Sequence, residues 1–165
     1  MIFGYLDSSS LVKRYVAEPG SPVVDHLFAR LPLGRLVVLS VGLAEVVSIL
    51  VRKHNGKRIT TPTFRRALAE FQKEFKIRSP VQVIDVTAVA AVRAYRFIRL
   101  YSVNSTDAIL LRSAIDLAIL LRAAGDDLLL VSSDLRLINA ARAESLTVFN
   151  PETGSVTDLD ALLGP

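Results

Sequence analysis

The chain has no cysteine, no tryptophan, a single methionine and only two histidines in 165 residues. Without cysteine there is no disulfide, no thiolate nucleophile and no cysteine-bound zinc, and the cytoplasm is the expected location. The two histidines, His26 and His54, argue against a metal-free ribonuclease, which needs a paired acid and base. Long apolar runs are missing as well. The most apolar stretch, "AILLRSAIDLAILLRAAG", is interrupted by Arg112, Asp116 and Arg122, and no basic segment followed by a long apolar one opens the chain. Neither a membrane span nor a signal peptide is expected. What is present is a chain 51% hydrophobic and 22% charged. That size and apolar content suit one globular domain over residues 1–165, with 151–165 as a short C-terminal tail.

Twenty Lys and Arg against sixteen Asp and Glu give a formal charge of +4. The excess leans toward polyanionic partners, and its distribution says more than its size. "RKHNGKR" (52–58), Arg65, Arg66, Lys73, Lys76 and Arg78 make a basic middle third. Arg52, Lys53, Lys57 and Arg58 are the candidates there for nucleic-acid contact, against the plain alternative of a solvated helix face and loop. "RAYRFIR", with Arg93, Arg96 and Arg99, is a second basic surface with the same alternative.

Five short, apolar or β-branched runs read as strands: "IFGYL" (2–6), "LVVLS" (36–40), "VQVIDV" (81–86), "LLLVSS" (128–133) and "LTVF" (146–149). Helical patterns fill the intervals at 8–17, 22–31, 41–54, 62–77, 87–101, 105–123 and 134–144, and the tail carries a turn and one short helix. Continuous apolar strands separated by amphipathic helices indicate an α/β fold whose mainly parallel sheet is covered on both faces. In such sheets ligands bind beyond the carboxyl ends of the strands, so the residues that follow each strand carry the most information.

Asp7 follows the first strand, Asp134 the fourth, and Asp85 ends the third. Taken singly, Asp7 and Asp134 are ordinary helix N-caps. Asp107, in "NSTDAILLRSA", has a similar alternative, with Ser105 as cap and Asp107 favouring the helix dipole. The helical period argues otherwise, because Asp107 shares its face with Leu111, Ala114, Ala118 and Leu121. A charge heading an apolar face points inward and needs a partner. Glu45, in "VGLAEVVSILVRK", raises the same question, with a salt bridge to Arg52 as the structural alternative. Asp85 reads as a turn and cap and ranks behind the other four.

Carboxylates brought together repel, by roughly 4 kcal/mol at 4 Å and an effective dielectric of 20, so a cluster of them calls for cations. An all-oxygen ligand set selects hard ions, magnesium or manganese. Such a site binds a phosphodiester, lowers the pKa of a bound water and neutralises the leaving oxygen.

Asp7, Glu45, Asp107 and Asp134, in that order on strand end, helix, helix start and strand end, resemble the PIN-domain nucleases over nearly the whole chain. "LDSSSLVKRYVAEPGS", "LSVGLAEVVSIL", "NSTDAILLRSAI" and "LLLVSSDLRLINAARAESLTVFNP" are similar to toxin subunits of VapBC toxin–antitoxin pairs. The resemblance implies a three-layer α/β/α sandwich around a central mainly parallel sheet of about five strands. It implies a Mg2+- or Mn2+-dependent endoribonuclease in which Asp7, Glu45 and Asp107 are the core ligands and Asp134 the more weakly engaged fourth. Ser9 and Ser132 match family hydroxyl positions that orient ligands or water, while each also reads as a cap or turn serine. A small VapB-like antitoxin, an RNA substrate and a homodimer are implied as partners. The longer basic middle third and the extended tail depart from the smallest family members.

Three other functions compete. A catalytically silent PIN domain would serve as an RNA-binding or protein-interaction module, and retention of all four acids weighs against it. An aspartyl-phosphate phosphatase wants a second Asp two residues after the first, where Ser9 stands. A receiver domain wants a late lysine, and none follows Lys76.

Overall fold

The computed structural model describes residues 1–75 and 80–164. Five strands, β1 (Ile2–Leu6), β2 (Leu36–Leu39), β3 (Gln82–Ile84), β4 (Asp127–Val131) and β5 (Thr147–Phe149), form one parallel sheet in the order β3-β2-β1-β4-β5. Eight α-helices are found among the described residues: α1 (Ser8–Leu11), α2 (Ser21–Arg30), α3 (Ser40–Asn55), α4 (Thr61–Glu74), α5 (Ala88–Tyr101), α6 (Ser105–Ala123), α7 (Leu135–Ala143) and α8 (Val156–Leu163).

The strands are apolar on both sides because both sides are covered. Leu6, Leu36, Val38, Leu129 and Val131 pack with α1 to α4 and α8 in one layer, through Leu11, Leu27, Val46, Leu50, Phe71 and Leu159. Their neighbours in the pleat, Tyr5, Val37, Leu39, Leu128 and Leu130, pack with α5 to α7 through Phe97, Leu110, Leu111, Ala114 and Leu137. This is the α/β/α sandwich. Each fully buried leucine contributes about 2 kcal/mol in burial free energy.

The expected helix at 8–17 closes early. Only Ser8–Leu11 are α-helical, followed by a tighter 3-10 turn at Val12–Arg14. The chain then reverses through Gly20, which takes a φ of 88°. A Cβ at Gly20 would lie 2.7 Å from the Pro151 carbonyl oxygen, so both the angle and the space require glycine there. Ser40, expected in the second strand, opens α3 instead. The third strand shortens to three residues, as an edge strand paired only with β2. The fourth starts one residue earlier and releases Ser132 and Ser133 into the loop that follows. The end of the expected helix 62–77, with Lys76, and the basic Arg78 lie outside the described residues.

The chain runs from β1 outward through β2 to β3, then crosses back to place β4 on the other side of β1. Connections on the two sides of the β1–β4 boundary therefore diverge, leaving a crevice at the carboxyl edge of the sheet. Asp7 extends the β1–β4 ladder by one bond, its N–H donating to the Val131 carbonyl at 3.0 Å. The loop after β1 and the loop after β4 meet at this crevice.

Candidate active site

Asp7 caps α1 and is buried, with 3% of its surface exposed. Its Oδ2 accepts from the Ser9 hydroxyl at 2.6 Å, the Ser132 hydroxyl at 3.0 Å and the Ser9 N–H at 3.3 Å. Its Oδ1 accepts from the Ser8 hydroxyl at 3.2 Å. The same Ser8 hydroxyl lies 3.0 Å from Glu45 Oε2, linking the first acid to α3. Ser132, fully buried, also accepts the Asp134 N–H at 3.0 Å, and Ser9 accepts the Ser133 N–H at 3.0 Å. Two serines expected as supports thus join the start of α1 to the loop after β4 through their hydroxyls.

Asp134 caps α7, its Oδ1 accepting from the N–H groups of Arg136 at 2.7 Å and Leu137 at 3.1 Å. The capping readings of Asp7 and Asp134 therefore hold for the backbone. One oxygen of Asp134 is occupied by its cap, and its Oδ2 takes no hydrogen bond from the described residues.

Asp107 stands in the first turn of α6, on the face that carries the buried Leu111, Ala114 and Ala118. The cap is Asn104 and not Ser105: Asn104 Oδ1 accepts the Asp107 N–H at 2.8 Å. Only 8% of Asp107 is exposed, and its carboxyl takes no hydrogen bond from the described residues. Burial, and then the charges of Asp7, Asp134 and Glu45, push its pKa up from 3.8 to about 7, with Arg136 pulling the other way. Four carboxylates distant in sequence therefore act on one another at one sheet edge. The salt bridge from Glu45 to Arg52 is not formed, and no ion pair engages Glu45 among the described residues.

The donor set is all oxygen, as hard divalent cations require. Among the described residues no three acids already stand together as a closed ligand cage. Two features nonetheless suit a cation: burial and then like charges disfavour the ionised Asp107 carboxyl, and the Ser133 hydroxyl beside Asp134 is buried without a partner among the described residues. A bound cation would relieve the first by favouring the ionised carboxyl.

Of the four basic candidates, Arg52, Lys57 and Arg58 are exposed and enter no ion pair among the described residues. Lys53 differs, because it pairs with Glu18, which also binds the buried Lys13 at 3.1 Å. Lys57, Arg58 and His54 line an open hollow with Ile59, Thr60 and Thr61. His54 stacks on Phe64, with ring centroids 4.8 Å apart, and its Nε2 lies 3.1 Å from the Thr61 hydroxyl. His26 contacts Asp160 at 2.9 Å, remote from the acids in the fold. Arg96 of the second basic surface pairs with Glu144 at 3.3 Å. Asp85 is exposed beyond β3, where Thr87 caps α5.

Sequence reasoning missed Ser8, Ser133 and Arg136. A run of three serines signals a cap without saying which hydroxyl reaches a carboxylate on another helix. The tertiary approach of α1 and α3 selects Ser8.

The PIN domain family pattern matches residues 4–143, and the chain belongs to the PIN domain family. Among solved structures it is similar to a FitAB complex bound to an IR36 DNA fragment, at 15% identity and a TM-score of 0.63, covering 94% of this chain and 98% of that one. It is also similar to VapC20 of Mycobacterium tuberculosis, described as a toxin that cleaves the sarcin–ricin loop, at 16% identity and a TM-score of 0.58, covering 83% and 94%. A toxin–antitoxin complex from Klebsiella pneumoniae matches at 16% identity and a TM-score of 0.56, covering 90% and 97%. At these identities the likeness concerns the fold. No curated protein matches the sequence.

Proposed function

We propose that the protein is a divalent-metal-dependent endoribonuclease of the VapC type, the toxin of a toxin–antitoxin pair, acting in the cytoplasm as one domain over residues 1–165. The observation that carries this reading is Asp107, a buried carboxyl that pairs with no cation among the described residues and on which three other carboxylates act. An acid placed this way costs stability and is retained where a ligand compensates.

Asp7, Glu45 and Asp107 would hold Mg2+ or Mn2+, with Asp134 as the weaker fourth ligand. The cation supplies charge neutralisation and a water of lowered pKa at the phosphodiester. Ser9 in α1 and Ser132 in the loop after β4 fix the Asp7 carboxylate, and Ser8 sets its spacing from Glu45. Arg52 lies two turns beyond Glu45 on α3, about 10 Å along the axis, where it would hold the RNA backbone. Lys57 and Arg58 extend this track, and Lys53 is excluded from it by Glu18.

The structural likeness to toxin–antitoxin complexes supports a small VapB-like antitoxin as partner. A homodimer agrees with the apolar residues that α5 leaves in solvent, Val89, Val92 and Tyr95, each about 60% exposed. Among the described residues no helix is long and apolar enough to cross a membrane.

The test is cleavage of structured RNAs by purified protein in Mg2+ or Mn2+, with and without EDTA, beside Asp7→Asn and Asp107→Asn. Cleavage that needs the metal and is lost in both variants is expected. Metal-independent cleavage, or full activity in both variants, overturns the reading. A silent RNA-binding module would retain binding and cut nothing under any condition.

A further inference from the structure

Several cations are already committed to acids. Lys13 is buried between Glu18 at 3.1 Å and Glu152 at 2.6 Å, Lys53 pairs with Glu18, and Arg112 is closed by Asp116 one turn along α6. Arg136, two residues past Asp134, is not. It stands in the first turn of α7, exposed, and forms no ion pair with any described residue.

Its position is nonetheless fixed from below. The Arg136 N–H donates to Asp134 Oδ1, the Asp134 N–H donates to Ser132 Oγ, and Ser132 Oγ donates to Asp7 Oδ2. Three hydrogen bonds therefore tie the Arg136 backbone to the first acid of the quartet. Its charge reaches Asp107 as well, favouring the ionised carboxyl. The guanidinium, two residues past Asp134, forms no ion pair with any described residue, and Asp134 Oδ1 is taken up by the helix cap. A guanidinium offers five donors in a planar fork that matches the oxygens of a phosphate.

We infer that Arg136 is a substrate-contacting residue whose guanidinium takes a phosphate of the RNA at the mouth of the acidic crevice. The inference rests on the nuclease reading for its substrate. It adds a cation in the first turn of α7, two residues past the acid Asp134. Arg136 would hold the strand while the carboxylate side of the crevice acts on it. A phosphate contact of this kind positions the RNA without reading its sequence.

The experiment compares wild type, Arg136→Lys and Arg136→Ala in two arms. In EDTA, binding of a fluorescent RNA hairpin is followed by anisotropy across a NaCl series. In Mg2+, kcat and KM for cleavage of the same hairpin are measured. Arg136→Ala is expected to weaken binding about tenfold, as for one lost charge-assisted contact, with KM carrying most of the effect. The slope of log K against log salt should fall by about 0.7, the share of one phosphate in a single strand. Arg136→Lys should keep the slope and recover part of the affinity. Binding and salt slope unchanged in Arg136→Ala, or a loss of thermal stability with unchanged binding, overturns the inference. The latter result would make Arg136 a counter-charge for the acids. Should Arg136→Ala fail to fold, Arg136→Gln is read in its place. Wild-type protein that binds the hairpin but cuts no RNA overturns the nuclease reading alone, and the binding arm still decides Arg136. No binding by wild type overturns both.

Discussion

In metal-free protein, Asp107→Asn should raise stability at alkaline pH and leave it nearly unchanged in acid. The folded state holds the Asp107 proton up to about pH 7, while the unfolded chain releases it near 3.8. Between those values the native state binds more protons than the unfolded one, so stability falls as pH rises, and the full deficit is present above pH 7. A rise of about three units corresponds to at most about 4 kcal/mol at 1.36 kcal/mol per unit. The crevice opens to water and screens the carboxylates, so about half of that, ~2 kcal/mol, is the expected penalty. Asparagine keeps the shape and cannot ionise, which removes the penalty. Urea unfolding in EDTA should therefore show Asp107→Asn more stable than wild type by ~2 kcal/mol at pH 8 and by less than about 1 kcal/mol at pH 4.5. The charged groups acting on Asp107 are Asp7, Asp134, Glu45 and Arg136, all present in both proteins. A gain no larger at pH 8 than at pH 4.5 would refute the argument. It would mean that burial and the neighbouring carboxylates do not hold Asp107 protonated.

Two further substitutions probe how the site is held. Ser8→Ala removes the hydroxyl shared by Asp7 and Glu45 and should lower cleavage about tenfold, while urea unfolding moves by no more than about 1 kcal/mol. Unchanged cleavage would show that Ser8 does not set the spacing of the two acids. Gly20→Ala forces a positive φ on alanine and drives its Cβ against the Pro151 carbonyl, so a loss of about 2 kcal/mol is expected in thermal or urea unfolding. A loss below about 0.5 kcal/mol would refute that steric account.

The order and character of the strands were legible in the chain because a strand buried on both faces must be apolar along its whole length. "LVVL" and "DLLLV" carry that requirement without reference to any neighbour. Asp107 was legible for a related reason: the helical period places it on the face of Leu111 and Ala114, and α6 buries that face. The caps at Asp7 and Asp134 follow from local backbone chemistry and formed as such.

Local pattern could not choose among adjacent serines, or between Asn104 and Ser105 as the cap of α6. Those outcomes depend on where α3 passes α1 and on one backbone angle before a helix. It could not separate Lys53 from Lys57 either, since the partner of Lys53 is Glu18, thirty-five positions away. The sequence by itself determined the four carboxylates, their elements and the parallel sheet, because periodicity and burial act within single segments. The shared electrostatic field of these acids, the binding of Asp7 by serines of α1 and of the loop after β4, and the lack of an ion pair at Arg136 among the described residues arise only when the chain folds. Those properties depend on distances across the β1–β4 boundary, which folding sets.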